Sequence, residues 1–293
     1  MKKRIITATV ALAIFIPILI FSSTTVGKYT FTTVMAALAV IGIFEIAGCI
    51  GLRRQFAVMI PTYIYAVAIM FLVVFMPSHT WTFKISLAMS FVYIFYAFCY
   101  SMLSSGNIRM GQTSELVAVS GYIFFGLLCI ILLRYTESTS IYGEKHIYTV
   151  LGKYLYLLIF IGAWSTDTGA YFVGVAMGKH KLIPDVSPKK TVEGAIGGLL
   201  GCIVGFSIYG GVLAIFYNVK VNWIMLIAAA LVIGVVDQLG DLIASYIKRE
   251  RGIKDFGNLF PGHGGVLDRF DSVIAIAPFM YFISILSPIQ IFA

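Results

Sequence analysis

Nine apolar stretches, each about 20 residues long, constrain the fold of this chain more than any other feature. A helix of about 20 apolar residues crosses the hydrocarbon core of a bilayer. Such stretches fold as helices, because a backbone in lipid must satisfy its own hydrogen bonds. We therefore predict an all-α polytopic integral membrane protein with about nine transmembrane helices. The predicted spans are 5–21, 29–50, 57–76, 82–103, 116–133, 148–166, 194–217, 221–247 and 270–292.

The composition agrees with a membrane protein, since 60% of the residues are hydrophobic and only 12% are charged. A soluble domain has about a quarter charged residues. The first span follows three basic residues, as a signal peptide would. Its apolar run is long for a signal peptide and lacks a small-residue cleavage site, so we predict a retained helix.

The Lys and Arg residues of the connections predict the orientation, because cytoplasmic connections carry an excess of both. With a cytoplasmic N-terminus, fifteen lie inside and six outside. The inside set is Lys2, Lys3, Arg4, Arg53, Arg54, Arg109, Lys179, Lys181, Lys189, Lys190, Lys248, Arg249, Arg251, Lys254 and Arg269. The outside set is Lys28, Lys84, Arg134, Lys145, Lys153 and Lys220. The net charge of +8 then belongs to the membrane face, and we expect no nucleic-acid partner.

The two halves of the chain differ in character. Residues 1–135 are predicted to be a transmembrane scaffold with few ionisable groups inside the spans. Nine of the thirteen acidic residues lie after residue 160, so residues 136–293 are predicted to be the catalytic region, with cytoplasmic loops 167–193 and 248–269. Glu45 is an exception in the first half; it either pairs with a neighbouring helix or reaches toward Arg53 and Arg54, and we predict no catalytic role for it.

Two carboxylates lie inside the eighth span. Asp237, Asp241 and Ser245 are four residues apart in turn, so they share one helix face. The apolar segment before them, Trp223–Val236, is about 21 Å long as a helix, shorter than the hydrocarbon core of about 30 Å. The carboxylates are therefore expected to face a polar cavity. Either a divalent metal or a Lys or Arg from another helix would offset their charge.

The loop 248–271 combines glycine, basic residues and carboxylates. Glycines 262, 264 and 265 allow positive φ angles, and their N–H groups could form an anion-binding nest. Asp268 and Asp271 are three residues apart at the start of the ninth span, and their oxygens suit Mg²⁺. His263 either orients a phosphate, moves a proton or is a surface residue. The basic run from Lys248 either holds phosphates or anchors the membrane face.

The segment 164–201 is the third polar region. Asp167 is placed at the cytoplasmic end of the sixth span. The sequence SPKKT, residues 187–191, precedes a helix from Val192, where lysines favour phosphate. Thr191 as an N-cap, with Glu193 in the first turn, explains the same pattern structurally. The glycines at 194, 197, 198 and 201 predict close helix packing.

The run SYIKRERGIKDFGNLFPGHGGVLDRFD, residues 245–271, resembles the signature of phosphatidate cytidylyltransferases, also called CDP-diacylglycerol synthases. The segments DTGAYFVG, SPKKTVEG and DQLGDL are similar to the accompanying motifs of that family, in the same order. The resemblance implies that CTP and phosphatidic acid react to give CDP-diacylglycerol and pyrophosphate. It also implies Mg²⁺, with a second cation left open, membrane lipid around the site, and a homodimer in the cytoplasmic membrane whose site faces the cytoplasm.

On this expectation, Asp241 and Asp268 are the main metal ligands, and Asp237 and Asp271 are further ligands. His263 completes the predicted catalytic set. The predicted substrate-binding residues are Asp167, Ser187, Lys189, Lys190, Thr191, Lys248, Arg249, Gly264, Gly265 and Arg269.

Two other functions fit parts of the pattern. A CTP-dependent lipid kinase of the polyprenol type would transfer the γ-phosphoryl group and release CDP. An ion-coupled transporter would also use buried Asp residues. The long glycine-rich loop and the lack of an internal repeat argue against the transporter.

Overall fold

The structure is a computed structural model that describes residues 13, 16–76, 79–104, 106–135, 139–142, 146–149, 152–260, 264–286 and 291–292. From residue 25 onward these residues form helices and two short hairpins. The helices are α1 Thr25–Ile50, α2 Phe56–Phe75, α3 His79–Leu103, α4 Met110–Tyr135, α5 Gly152–Leu155, α6 Leu157–Met177, α7 Val192–Tyr217, α8 Trp223–Glu250 and α9 Leu267–Leu286. The strands are β1 Thr139–Tyr142, β2 His146–Thr149, β3 Lys181–Ile183 and β4 Ser187–Thr191.

Seven helices in the described part of the chain are long and apolar enough to cross a membrane, namely α1 to α4 and α7 to α9. The predicted class, an all-α polytopic membrane protein, is confirmed. The first predicted span, 5–21, lies mostly outside the described residues, although residues 16–21 are helical. The four cysteines are free and lie in helices.

The sixth predicted span was placed wrongly. We expected it at 148–166, but β2 occupies the start of that range and α6 runs over Leu157–Met177. Asp167 therefore lies inside a helix rather than at its end, and the predicted loop 167–193 is helical as far as Met177. The helix continues past the polar residues at 165–168 because its glycines pack directly on α7.

A hairpin connects α6 to α7. Strands β3 and β4 pair in antiparallel fashion, and β4 carries the SPKKT sequence. Thr191 caps α7, since its hydroxyl oxygen accepts the N–H of Gly194 at 3.1 Å. Glu193 accepts the N–H of Lys179 at 3.0 Å and contacts Nδ1 of His180 at 2.6 Å. The predicted cap is confirmed, and Glu193 also ties the start of α7 to the end of α6.

The chain forms two compact units, which we describe separately. Unit 1 comprises residues 1–131 and 253–269, and unit 2 comprises residues 132–252 and 270–293. The predicted division at residue 135 concerned roles rather than packing, and it stays a prediction.

Stacked rings and contacts between hydroxyl groups connect helices α2 and α3 of unit 1. The rings of Tyr65 and Tyr93 stack with centroids 4.5 Å apart. The hydroxyl of Tyr93 lies 3.0 Å from that of Thr62, and the hydroxyl of Tyr65 lies 2.8 Å from that of Ser90. Such bonds hold helices together where lipid gives no hydrophobic driving force.

Helices α6 and α7 of unit 2 approach each other through glycine. A Cβ added at Gly169 would overlap the carbonyl oxygen of Gly197 and lie 3.0 Å from Cα of Gly201. One added at Gly201 would lie 3.1 Å from Cα of Gly169. The close packing predicted from the glycine spacing of α7 is confirmed.

Gly169→Ala is expected to destabilise the protein by about 1–3 kcal/mol, because the methyl group meets backbone that cannot move aside. The measurement is the thermal midpoint in detergent. Gly211→Ala is the matched control, since a Cβ at Gly211 of α7 meets nothing within 4 Å. Equal midpoints for the two variants would contradict the close contact.

Candidate active site

Asp237 is the most deeply buried carboxylate of unit 2. Its side chain is 1% exposed, and neither carboxylate oxygen has a hydrogen-bond partner among the described residues. The hydroxyl of Ser272 donates to the backbone carbonyl of Asp237 at 3.4 Å and fixes α8 against α9. A buried charge without a partner is costly, so this site favours a cation or a proton.

Charged groups from three elements lie near Asp237. Asp167 of α6, Lys190 of β4 and Asp241 of α8 lie close enough to act on its charge. Asp271 of α9 likewise lies close enough to Asp167, Asp241 and Lys248 for their charges to act on it. We call these residues the acidic cluster: Asp167, Lys190, Asp237, Asp241, Lys248 and Asp271.

The acidic cluster runs from the surface of unit 2 to its interior. Asp167 is exposed, Asp241 and Asp271 are half-buried, and Asp237 is buried. Four carboxylates face two ammonium groups, so the cluster is acidic as a whole. This gradient is the arrangement expected for a polar opening that leads to a buried carboxylate.

Asp241 has a basic partner, which is one of the two alternatives that the sequence left open. Nζ of Lys190 lies 2.7 Å from its Oδ2, and both side chains are about one quarter to one third exposed. We predicted that such a Lys or Arg would lie on another helix. Lys190 instead comes from β4, and we had assigned it to a phosphate.

Gln238 is a site residue that sequence reasoning missed. Its Nε2 donates to the carbonyl oxygens of Ala195 at 3.2 Å and Gly234 at 3.0 Å. The backbone carbonyl oxygen of Gln238 accepts a hydrogen bond from Nζ of Lys190 at 3.4 Å. Gln238 thus ties the α8 backbone to the first turn of α7, next to the strand that carries Lys190. Its position directly after Asp237 was the available signal.

A second group of contacts lies in unit 1, around the start of α9. Oδ2 of Asp268 accepts the N–H groups of Phe256 at 2.8 Å and Gly265 at 2.9 Å. The carboxylate of Glu45 in α1 accepts the next two backbone N–H groups, from Val266 at 2.9 Å and Leu267 at 2.8 Å. We call these six residues the loop cluster: Glu45, Phe256, Gly265, Val266, Leu267 and Asp268.

The loop cluster corrects the predicted anion nest at one position. The N–H of Gly265 donates to Asp268, so it is occupied by the protein itself. Gly264 has a φ of 83°, in the left-handed region that we expected of these glycines. Gly262 and His263 lie outside the described residues.

The remaining predicted binding residues are spread over both units. In unit 2, Ser187 is half-buried, Lys189 and Arg249 are exposed, and Lys248 is 9% exposed. Thr191 acts as the helix cap described above. In unit 1, Arg269 is exposed.

The acidic and basic side chains of unit 2 have the chemistry to bind a cation and phosphate groups. The model of the family described as "Cytidylyltransferase family" matches residues 2–286. This chain belongs to the cytidylyltransferase family and is a nucleotidyltransferase.

Similar proteins cover almost the whole chain. The phosphatidate cytidylyltransferase of Staphylococcus haemolyticus is 32% identical over 280 residues, which are 96% of this chain and 97% of the relative. That of Bacillus subtilis is 32% identical over 290 residues, with 97% of each chain covered. That of Staphylococcus aureus strain COL is 33% identical over 285 residues, with 96% and 97% covered.

Proposed function

We propose that this protein transfers the cytidylyl group of CTP to phosphatidic acid, forming CDP-diacylglycerol and releasing pyrophosphate. The observation that carries the proposal is the acidic cluster. Its carboxylates and lysines come from the four segments that resemble the motifs of phosphatidate cytidylyltransferases: Asp167 from DTGAYFVG, Lys190 from SPKKTVEG, Asp237 and Asp241 from DQLGDL, and Asp271 from the DRFD end of the long signature.

Mg²⁺ is the proposed cofactor, held by Asp237, Asp241 and Asp271, with Asp268 as a further candidate. Among the described residues, no three His, Cys, Asp or Glu side chains converge closely enough to hold a metal. The donor chemistry nevertheless fits, because carboxylate oxygens suit Mg²⁺ and both oxygens of Asp237 lack a protein partner. A bound cation would offset the charge that develops on the phosphates.

Lys190 would change partners when substrate binds. In the structure its ammonium group pairs with Asp241. An ammonium group at that place can instead hold a phosphate oxygen, which frees Asp241 for another ligand. Lys189, Lys248, Arg249 and Arg269 are the other proposed phosphate-binding residues.

The reaction needs no strong base from the protein. An oxygen of phosphatidate, already anionic near neutral pH, attacks the α-phosphorus of CTP in line with the leaving group. The new P–O bond forms as the bond from the α-phosphorus to the bridging oxygen of the β-phosphate breaks, and pyrophosphate leaves. The protein contributes position and electrostatic stabilisation, as in other phosphoryl transfers.

Asp268 has a structural task in addition to its proposed part in the site. Its Oδ2 holds two backbone N–H groups of the loop, and the side chain is 8% exposed. Asp268→Asn would therefore disturb the loop as well as any bound cation, so Asp241 and Asp237 are the cleaner tests of the proposal.

The proposed location is the cytoplasmic membrane, with the site facing the cytoplasm and the protein forming a homodimer. The charge bias of the connections supports the orientation. Exposed apolar side chains along α3, such as Phe91 at 69%, face lipid or a second copy in this arrangement.

Pyrophosphate release by the purified protein in detergent tests the proposed function. We expect release only when CTP, phosphatidic acid and Mg²⁺ are all present, together with a lipid that carries CMP. CDP without pyrophosphate would show a lipid kinase instead. Folded protein that gives neither product would reject both and leave transport to be assayed.

A further inference from the structure

Glu45 is a buried carboxylate for which the proposed reaction has no use. It lies in α1 and is 3% exposed. Its two oxygens accept one backbone N–H each, Oε1 from Val266 and Oε2 from Leu267. These donors are 221 and 222 residues away along the chain. The contact therefore joins helix α1 to the start of α9.

The loop backbone packs directly on the Glu45 carboxylate. A Cβ added at Gly257 or at Gly265 would overlap the carboxylate atoms. Any side chain at these positions would push Glu45 away from its two donors. The two glycines are thus required by the position of Glu45, in addition to any need for a ligand.

Glu45 and Asp268 together fix three successive N–H groups. Gly265 donates to Asp268, and Val266 and Leu267 donate to Glu45. N–H groups at the start of a helix have no partner within the helix, and negative charge there is favourable. Charge-assisted bonds of this kind are about twice as strong as neutral ones. Glu45 of α1 therefore holds the backbone at the start of α9 from outside that helix, while Asp268 holds it from within.

We propose that Glu45 is a positioning residue for the reaction, acting through the backbone of residues 265–267. It sets the backbone at Val266 and Leu267, directly before Asp268 in the first turn of α9. It touches no reacting atom itself. The catalytic consequence rests on the proposed function, whereas the backbone contact does not.

Glu45→Gln is the test, because it keeps size and shape but puts an NH₂ group against one of two N–H donors. We expect the amides of Val266 and Leu267 to exchange hydrogen at least about tenfold faster, while the amides of α2 and α3 keep their rates. For pyrophosphate release, kcat should fall by about 10–100-fold, as for other supporting contacts, with a smaller change in KM for CTP. Glu45→Asp, which keeps the charge but is shorter, should recover part of kcat.

Two further variants keep the result decisive. Asp185→Asn, at an exposed residue of the turn between β3 and β4, is the control and should leave both readouts unchanged. Gly257→Ala displaces the Glu45 carboxylate without removing its charge and should reproduce the exchange and kcat effects. If Glu45→Gln fails to fold, Gly257→Ala serves as the test in its place. Loss of folding in both variants would show that Glu45 has a purely structural role and would overturn the proposal.

The two readouts separate this inference from the proposed function. Wild-type exchange rates at residues 266 and 267 in folded Glu45→Gln would overturn the contact. Faster exchange with unchanged kcat would overturn the positioning role. Absence of pyrophosphate release from the wild type would reject the proposed function, while the exchange comparison would still decide whether Glu45 holds the loop.

Discussion

Asp241→Asn is expected to lower kcat for pyrophosphate release on the order of 10³-fold while the protein still inserts and folds. The carboxamide carries no charge, so it can neither pair with Lys190 nor offset a bound cation. Asp241 is half-buried, and its bond with Lys190 is partly exposed to solvent. Such a bond contributes little to stability, so the thermal midpoint should change little.

Asp185→Asn is the matched control for this substitution. Asp185 is exposed in the turn between β3 and β4 of the same unit, so the same chemical change there should leave kcat within about twofold of the wild type. Near-normal turnover in Asp241→Asn, with Asp185→Asn also normal, would remove Asp241 from the site. A parallel loss in both variants would point to the hairpin rather than to the carboxylate.

Asp237→Asn should lower activity without lowering stability. We expect kcat to fall by about 10²-fold, because the variant loses a charge that the proposed cation would meet. Without Mg²⁺, its thermal midpoint should equal or exceed that of the wild type, because a buried carboxylate without a partner destabilises the fold. The measurements are kcat and thermal unfolding in detergent, each with and without Mg²⁺.

Added Mg²⁺ separates a cation site from a structural carboxylate. A cation that binds only the folded protein raises its midpoint, so Mg²⁺ should stabilise the wild type and have less effect on Asp237→Asn. A variant that is both less stable without Mg²⁺ and equally stabilised by it would show that Asp237 has a structural role. Asp185→Asn again provides the reference for a surface substitution.

The membrane helices were accessible to sequence reasoning because their length and apolar character are local properties. Helices α7 and α8 begin and end within about three residues of the predicted spans. The sixth span failed because Asp167 and its polar neighbours resemble a helix end. Its continuation depends on Gly169 fitting against α7, which only the paired helices reveal.

The candidate site was predictable in its residues but less so in its contacts. Asp241 and Lys190 were both identified, yet as a metal ligand and a phosphate-binding residue rather than as partners. Opposite charges 51 residues apart give no signal that they meet. Glu45 was harder still, because its partners are backbone N–H groups, which every residue except proline has and which no residue type marks.

The contact of Glu45 also has a consequence for biosynthesis. Its donors are synthesised 221 and 222 residues later. At about 5–20 residues per second, the ribosome needs about 10–40 s to reach them. During that interval α1 is already in the membrane with a carboxylate that has not met its final partners. Six residues, or about 9 Å, separate Glu45 from the C-cap Gly51, near enough for water and lipid headgroups to solvate the charge while the rest of the chain is translated.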